Sequence, residues 1–261
     1  MPHVDPDHVA GLIRQVAETV ILPRFRALGE NDIREKKPGD LVTVADVESE
    51  AALSRHLVDL LPGSTVVGEE GVAADPAVVD KLSEAAPVWV IDPIDGTRNF
   101  AHGRPRFAVM VALVQGGETV QSWIYDPLGG RMAIAELGGG SWLWGRRMTI
   151  APERPLSRQA GTVGWRHSPT FGEAVAKVVR YGCAGHDYLA LLTDQLQFAF
   201  YRKLNPWDHA PGELLFREAG GYVRLTDGEP YRPVPLTGAM VLAPGVATWE
   251  KLRILLARKS I

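Results

Sequence analysis

The sequence predicts an α/β protein with a mixed α+β first half, and three observations carry that reading. Val9, Leu12, Ile13, Val16, Val20 and Ile21 recur at three- and four-residue spacing, the period of an amphipathic helix. The middle of the chain is built of β-branched and apolar runs separated by glycine turns. Beyond residue 155, strand patterns and helix patterns alternate, as they do in α/β folds.

Taken in order, the first helical pattern covers residues 5–28. Pro23 predicts a kink or break in it, because proline has no amide proton to give a helix interior. Lys36-Lys37-Pro38-Gly39-Asp40 predicts a turn, and residues 41–44 an extended segment. A second helix is expected over residues 46–61, stopped by Pro62-Gly63. Val88-Trp89-Val90-Ile91 is apolar without interruption and predicts a strand covered on both faces. Residues 107–114, 119–125 and 131–135 predict antiparallel strands, with turns at 115–117 and 126–130. Gly138-Gly139-Gly140 and Ala151-Pro152 punctuate the chain, which places a soft boundary near residues 145–155 and divides it into subdomains 1–147 and 148–261. The second part predicts a strand at 160–165, helices at 170–180 and 187–195, and a strand at 196–201. A helix at 208–219, a strand at 221–225 and a helix at 246–258 complete it.

Length and composition limit the function classes. At about 150 residues per domain, 261 residues make one large or two intimate domains. Hydrophobic residues are 46% and charged residues 23%, ordinary for a soluble globular chain. The 27 glycines and 19 prolines fall short of the roughly 25–30% that marks low complexity. A net charge of -3 supplies no basic stripe, so nucleic acid is not an expected partner. Cys183 is the one cysteine, which excludes intramolecular disulfides and thiolate-clamped zinc. No secretory leader pattern opens the chain, and no apolar run nears the roughly 20 residues of a membrane span, so a cytoplasmic protein is expected.

The chemistry gathers in three acidic clusters, each where a strand or turn meets a helix. They are Gly68-Glu69-Glu70-Gly71, Asp92-Pro93-Ile94-Asp95-Gly96-Thr97, and Pro206-Trp207-Asp208. The buried strand delivers Asp92 to its carboxyl end, where open α/β sheets place their ligands. Two carboxylates three residues apart on such a turn need something to offset their repulsion. A hard divalent cation does so, and Mg²⁺ favours oxygen donors, the Ile94 carbonyl among them. The Gly96 and Thr97 amides at a helix start suit a phosphate. Plain readings stand beside these: Asp95 or Asp208 as a helix N-cap, and Glu69-Glu70 as a solvated pair. The co-occurrence of the three clusters favours a shared site.

These motifs, together with Leu41-Val42-Thr43-Val44-Ala45-Asp46 upstream, match the signatures of one family in order and spacing. The chain resembles the inositol monophosphatase family of Mg²⁺-dependent, lithium-sensitive phosphatases, from its first helix to its last. The resemblance implies a layered α-β-α-β-α sandwich of the inositol monophosphatase and fructose-1,6-bisphosphatase type, a homodimer, and two or three Mg²⁺ ions. It implies Glu69, Asp92, the Ile94 carbonyl, Asp95 and Asp208 as metal ligands, with Glu70 a less essential acid. Thr97 and Asp46 would orient and deprotonate a metal-bound water, with Glu69 assisting. The Gly96 and Thr97 amides would hold the phosphate, and Asp95, Ala184 and Asp208 would border the substrate. Direct attack by water agrees with the absence of a Cys-x5-Arg nucleophile loop, since no arginine follows Cys183 at that spacing.

On the substrate side the chain departs from the family pattern. Inositol-specific members commonly carry Glu seven residues before the Asp of Trp-Asp, and here that residue is Tyr201. Arg98 follows Thr97 where a small polar residue or Lys is usual, and His186 takes a position normally apolar. Arg98 and His186 each suit either a substrate contact or a structural role; His209 reads as structural. The loop of His102 and Arg104-Pro105-Arg106 carries no assigned role. Trp142, Trp144 and Trp165 read as packing residues or dimer contacts. A small phosphorylated polyol or related monoester is the expected substrate. Histidinol phosphate, 3'(2'),5'-bisphosphate nucleotides and fructose 1,6-bisphosphate are alternatives, and a regulatory binding protein on the same fold is the non-enzymatic one.

Overall fold

The computed structural model describes residues 3–164, 167–234 and 237–257. In chain order its first half holds α1 (Pro6–Val16), β1 (Ile33–Lys37), β2 (Asp40–Thr43), α2 (Val44–Leu60), β3 (Thr65–Gly68), α3 (Glu69–Ala74), β4 (Val88–Asp95) and α4 (Thr97–Ala101). Next come β5 (Ala108–Gln115), β6 (Glu118–Asp126), β7 (Arg131–Glu136), β8 (Gly140–Leu143) and β9 (Arg146–Arg147). The remainder holds β10 (Ala160–Val163), α5 (Ser168–Gly172), β11 (Lys177–Val179), α6 (Ala184–Leu192), β12 (Phe198–Tyr201), α7 (Pro206–Glu218), β13 (Tyr222–Leu225), β14 (Met240–Ala243) and α8 (Val246–Ala257).

Two large sheets organise these elements, with β1 and β2 forming a separate antiparallel pair. Strands β3 to β9 lie in chain order in a seven-stranded sheet, parallel at β3–β4 and antiparallel elsewhere. The second sheet has the order β11-β10-β12-β14-β13, parallel on the β10 side and antiparallel around β14. Side-chain alternation along the strands separates the layers. Trp89, Ile91, Val109, Val111 and Trp123 turn one face of the first sheet to Ile13, Leu53 and Leu57 of α1 and α2. Ala108, Met110 and Ile124 turn the other face to Leu189, Leu214 and Leu215 of α6 and α7, which also meet Val223, Met240 and Leu242 of the second sheet. Phe198, Phe200 and Val241 point outward from that sheet to Phe171, Trp249 and Leu252 of α5 and α8. The result is the expected α-β-α-β-α sandwich, with α6 and α7 as the shared middle layer. Val88 to Ile91 are covered on both sides, as their unbroken apolar run predicts.

Several expected elements are redrawn. The first helix is α-helical only over Pro6–Val16; one π turn (Ala17–Ile21) and a 3-10 turn holding Pro23 (Leu22–Arg24) follow it. The helix expected at 170–180 is the short α5 followed by β11, because the chain turns after Gly172 and Val178-Val179 pair with β10. The helix expected at 187–195 starts three residues earlier and ends at Leu192, with the Cys183 sulfur accepting from the His186 amide as its cap. β1, β8, β9 and β14 have no counterpart in the sequence pattern, while α3 and α4 are the helices expected to begin at the first two acidic clusters. The ends of the strand at 160–165 and of the helix at 246–258, and Trp165, lie outside the described residues.

Candidate active site

The site grows from the end of β4. Asp92 pairs with Met110 of β5 and Asp95 with Ala108, so three steps on β4 oppose two on β5. In a regular strand, residues three apart face opposite ways; the extra residue of this bulge returns Asp95 to the face of Asp92. The turn that follows needs glycine. Gly96 has φ +89°, and a Cβ there would stand 3.0 Å from the Arg106 carbonyl oxygen and 3.1 Å from the Cys183 Cβ. Gly96 is the N-cap of α4, so Asp95 is not the cap its turn motif also allows.

Asp46 enters from the first turn of α2. Its Oδ2 accepts from the Thr43 amide at 2.8 Å and the Thr43 hydroxyl at 2.6 Å. Its Oδ1 accepts from the Thr97 hydroxyl at 3.0 Å, which also lies 3.0 Å from the Ile94 carbonyl oxygen. Burial pushes the Asp46 carboxyl up to about 7 despite these donors.

One helical turn along α2, Glu50 accepts from the Glu70 and Gly71 amides, both at 2.8 Å, and so fixes the first turn of α3, which presents Glu69. Burial pushes its carboxyl up to about 7 as well. Glu69 and Glu70 both accept from the Lys36 ammonium, at 2.8 and 2.9 Å. Burial opposes the charge on Lys36, but the two glutamates prevail and hold it above its ordinary value.

Asp95 docks on the amino end of α6. Its Oδ2 accepts from the Gly185 amide at 2.6 Å and from the Cys183 thiol at 2.9 Å. Burial raises the Cys183 thiol well above its usual range, which suits a donor rather than a nucleophile. Asp208 stands in the first turn of α7, where Asn205 is the N-cap, so the capping reading of Asp208 does not hold. Asn205 instead donates to Asp208 Oδ2 at 3.1 Å. Burial, then Asp95 and Glu69, push Asp208 up to about 8.

Asp92 is the centre of this arrangement. It is 1% exposed, and burial followed by Glu69, Asp95, Asp208 and Asp46 raises it well above the carboxylate range. Acids from four elements thus act on one buried aspartate. Among the described residues no group of three such side chains is already arranged to hold a metal ion, and Glu69, Asp46, Asp95 and Asp208 each accept from a protein donor. The donor set is nonetheless all hard oxygen, and its mutual repulsion is what a bound divalent cation relieves. The residues fit such an ion.

Asp95 and Asp208 border a cleft of about 430 Å³ that Cys183, Ala184, Asp187 and Tyr201 also line. Tyr201 donates to Asp187 Oδ2 at 3.2 Å. His209 is structural: its Nε2 meets the Lys203 carbonyl oxygen at 2.8 Å, its Nδ1 the Tyr188 hydroxyl at 3.1 Å. His186 faces a different cavity, 3.2 Å from the Phe107 carbonyl oxygen and 3.8 Å from Asp126. In the loop, His102 bonds the Arg98 carbonyl oxygen and Arg106 stacks on Tyr181. Arg98 is exposed, and Trp142 and Trp144 are 39% and 58% exposed on the β8–β9 hairpin. Lys36, Glu50 and Asp187 are given no role by the sequence motifs. Only Glu50 left a signal, its i, i+4 spacing from Asp46 on one helix.

A model of the inositol monophosphatase family matches residues 7–260. The inositol-1-monophosphatase of Rhizobium meliloti (strain 1021) is 34% identical over 207 residues, covering 74% of this chain and 74% of that protein. A fructose-1,6-bisphosphatase/inositol-1-monophosphatase of Thermotoga maritima is 30% identical over 209 residues, covering 77% and 78%. Among solved structures, a Thermotoga maritima IMPase superposes with a TM-score of 0.82 over 96% of both chains at 23% identity, a likeness of fold.

Proposed function

The chain belongs to the inositol monophosphatase family, and from that premise we propose that it is a Mg²⁺-dependent phosphomonoesterase acting on a small phosphorylated polyol or related monoester. The observation that carries this reading is the convergence of Asp46, Glu69, Asp95 and Asp208 on buried Asp92. Glu69, Asp92, Asp95, Asp208 and the Ile94 carbonyl would hold two or three Mg²⁺ ions. Bound there, the ions neutralise phosphate charge and lower the pKa of water.

The protein's own groups supply position and proton transfer. The Gly96 and Thr97 amides, beside Ala184 at the start of α6, would hold the phosphate next to Asp95 and Asp208. Thr97 donates a hydrogen bond from its hydroxyl to Asp46 Oδ1, which leaves the Thr97 oxygen able to accept from the attacking water. Asp46 is anchored on its other oxygen by Thr43, so the base stays aligned as the proton arrives. Attack of water on phosphorus breaks the ester P–O bond and releases inorganic phosphate and an alcohol. Residues 1–147 would carry most of the metal ligands and residues 148–261 would add Asp208. A cytoplasmic, lithium-inhibited homodimer completes the proposal.

Tyr201 stands where an inositol-binding acid is expected, so the leaving group is open to other monoesters. The test is phosphate release from inositol 1-phosphate, histidinol phosphate, adenosine 3',5'-bisphosphate and fructose 1,6-bisphosphate, with Mg²⁺ and with added Li⁺. Turnover of at least one, lost in Thr97→Ala, is expected. No release from any of them by folded protein would sink the reading.

A further inference from the structure

We infer that the cavity beside α6, where Arg106 and His186 meet, is a second anion site that takes a phosphate group apart from the acidic cluster. The cavity measures about 310 Å³, and Arg106, Asp126, Arg131, Tyr181 and His186 are in its wall. None of these five borders the cleft of Asp95 and Asp208. Arg106 and His186 have no part in the acidic cluster, and this site gives them one.

Arg106 brings an uncommitted charge. Its guanidinium lies 4.3 Å from the centre of the Tyr181 ring and has no hydrogen-bond or carboxylate partner among the described residues. Stacking fixes the plane of the group and leaves its N–H donors to a ligand. Arg131 brings a second guanidinium, and Asp126 positions it: Asp126 Oδ2 accepts from Arg131 Nε at 2.8 Å and stands 2.7 Å from Nη2. The other oxygen of Asp126 accepts from the Gly129 amide at 3.0 Å. Both carboxylate oxygens are thus engaged, whereas Arg131 Nη1 has no partner among the described residues. A Cβ at Gly129 would collide with this carboxylate, so glycine lets the β6–β7 turn close over the pair. His186 Nε2 lies 3.2 Å from the Phe107 carbonyl oxygen, and burial lowers the pKa of its ring. Asp126, Arg131 and Arg106 all act on His186, which places the four around one space.

The charge balance points to the ligand. Two guanidiniums face one carboxylate, and that carboxylate is engaged in holding Arg131. A cationic ligand would meet two like charges, and an apolar one would strip water from Arg106 without replacing it. An oxyanion answers both objections, because planar guanidinium forks match the oxygens of phosphate. The cavity also backs onto the catalytic groups. His186 follows Gly185, whose amide holds Asp95 Oδ2, in the first turn of α6. An anion bound in the cavity ties that turn to Arg106 and to the β6–β7 turn.

The test is calorimetric titration with inorganic phosphate in chelator at constant ionic strength. Without ions the acidic cluster repels phosphate, so binding under these conditions reports the cavity. Neither metal nor turnover is needed, and the outcome is independent of the phosphatase reading. Saturable binding of phosphate is expected, weakened at least about tenfold in Arg106→Gln. Arg104→Gln, at an exposed neighbour outside the cavity wall, should bind as the wild type does. The His186 ring resonances should move along the same binding curve. Glycerol 2-phosphate in the same titration identifies the source of the group: binding as tight as that of phosphate assigns the site to an ester, and weaker binding to the free ion. The inference is overturned by no saturable binding to folded wild type, by equal binding in Arg106→Gln, or by equal losses in the two variants. His186 resonances that stay still while phosphate binds overturn it as well.

Discussion

Gly185 shows how little room the site leaves at the scale of one residue. A Cβ there would lie 2.7 Å from the Ala108 Cβ and 3.3 Å from Asp95 Oδ2. Gly185→Ala must push α6 off β5 or break the Asp95 contact; a loss of about 1–3 kcal/mol, read by thermal denaturation, is expected. Asp92 has the opposite balance. Its charge is opposed by burial and by four neighbouring acids, so Asp92→Asn should abolish phosphate release without lowering the melting temperature in chelator. A marked fall in the chelator-treated variant would contradict the repulsion argument. Asp187 sets a pH dependence. Burial, then Asp95, raise it from 3.8 to about 8. Between those values the unfolded chain has released a proton that the folded chain retains, so this group's contribution to stability falls as pH rises from about 4 to about 8. Urea unfolding in chelator should show a shallower decline over that range for Asp187→Asn than for the wild type.

At the scale of elements, α2 links two parts of the site through Asp46 in its first turn and Glu50 one turn on. Glu50→Gln leaves one oxygen to serve two half-buried amides, those of Glu70 and Gly71. The expected cost is about 1–3 kcal/mol, together with weaker Mg²⁺ binding in a calorimetric titration. The same helix shows what a sequence reveals. Glu69, Asp92, Asp95 and Asp208 stand out in the sequence because each lies where a strand or turn meets a helix, whereas Asp46 is singled out only by the family resemblance of Leu41-Val42-Thr43-Val44-Ala45-Asp46. Lys36, Glu50 and Asp187 do not stand out, because their partners lie on other elements. The central strands β4 to β7 were legible because apolar runs and glycine turns are local signals. The first turn of α6 was not, since a cysteine sulfur caps it, and the 170–180 segment misled because its strand is made by pairing with β10. The bulge that turns Asp95 to the side of Asp92 has no signature beyond the proline between them.

At the scale of the whole molecule, acids from both ends of the chain meet over the first sheet. Asp46, Glu69, Asp92 and Asp95 belong to elements on or beside that sheet, whereas Asp208 arrives on α7 from the middle layer. A cation that binds only this arrangement raises stability by mass action, by about 2.7 kcal/mol at one hundred times its dissociation constant. Mg²⁺ should therefore raise the melting temperature of the wild type and do so much less in Asp92→Asn, as followed by scanning calorimetry. The position of α7 extends this result. Its apolar side chains are shared between Met110 and Ile124 of one sheet and Val223 and Leu242 of the other, so the helix that carries Asp208 is packed between the two sheets. On the proposed function, a chain in which that packing is incomplete would lack its fifth carboxylate and would forfeit the stabilisation a bound ion would provide. An ion bound there would thus act as an inspector of assembly, strengthening molecules in which the packing is complete and leaving the others open to unfolding.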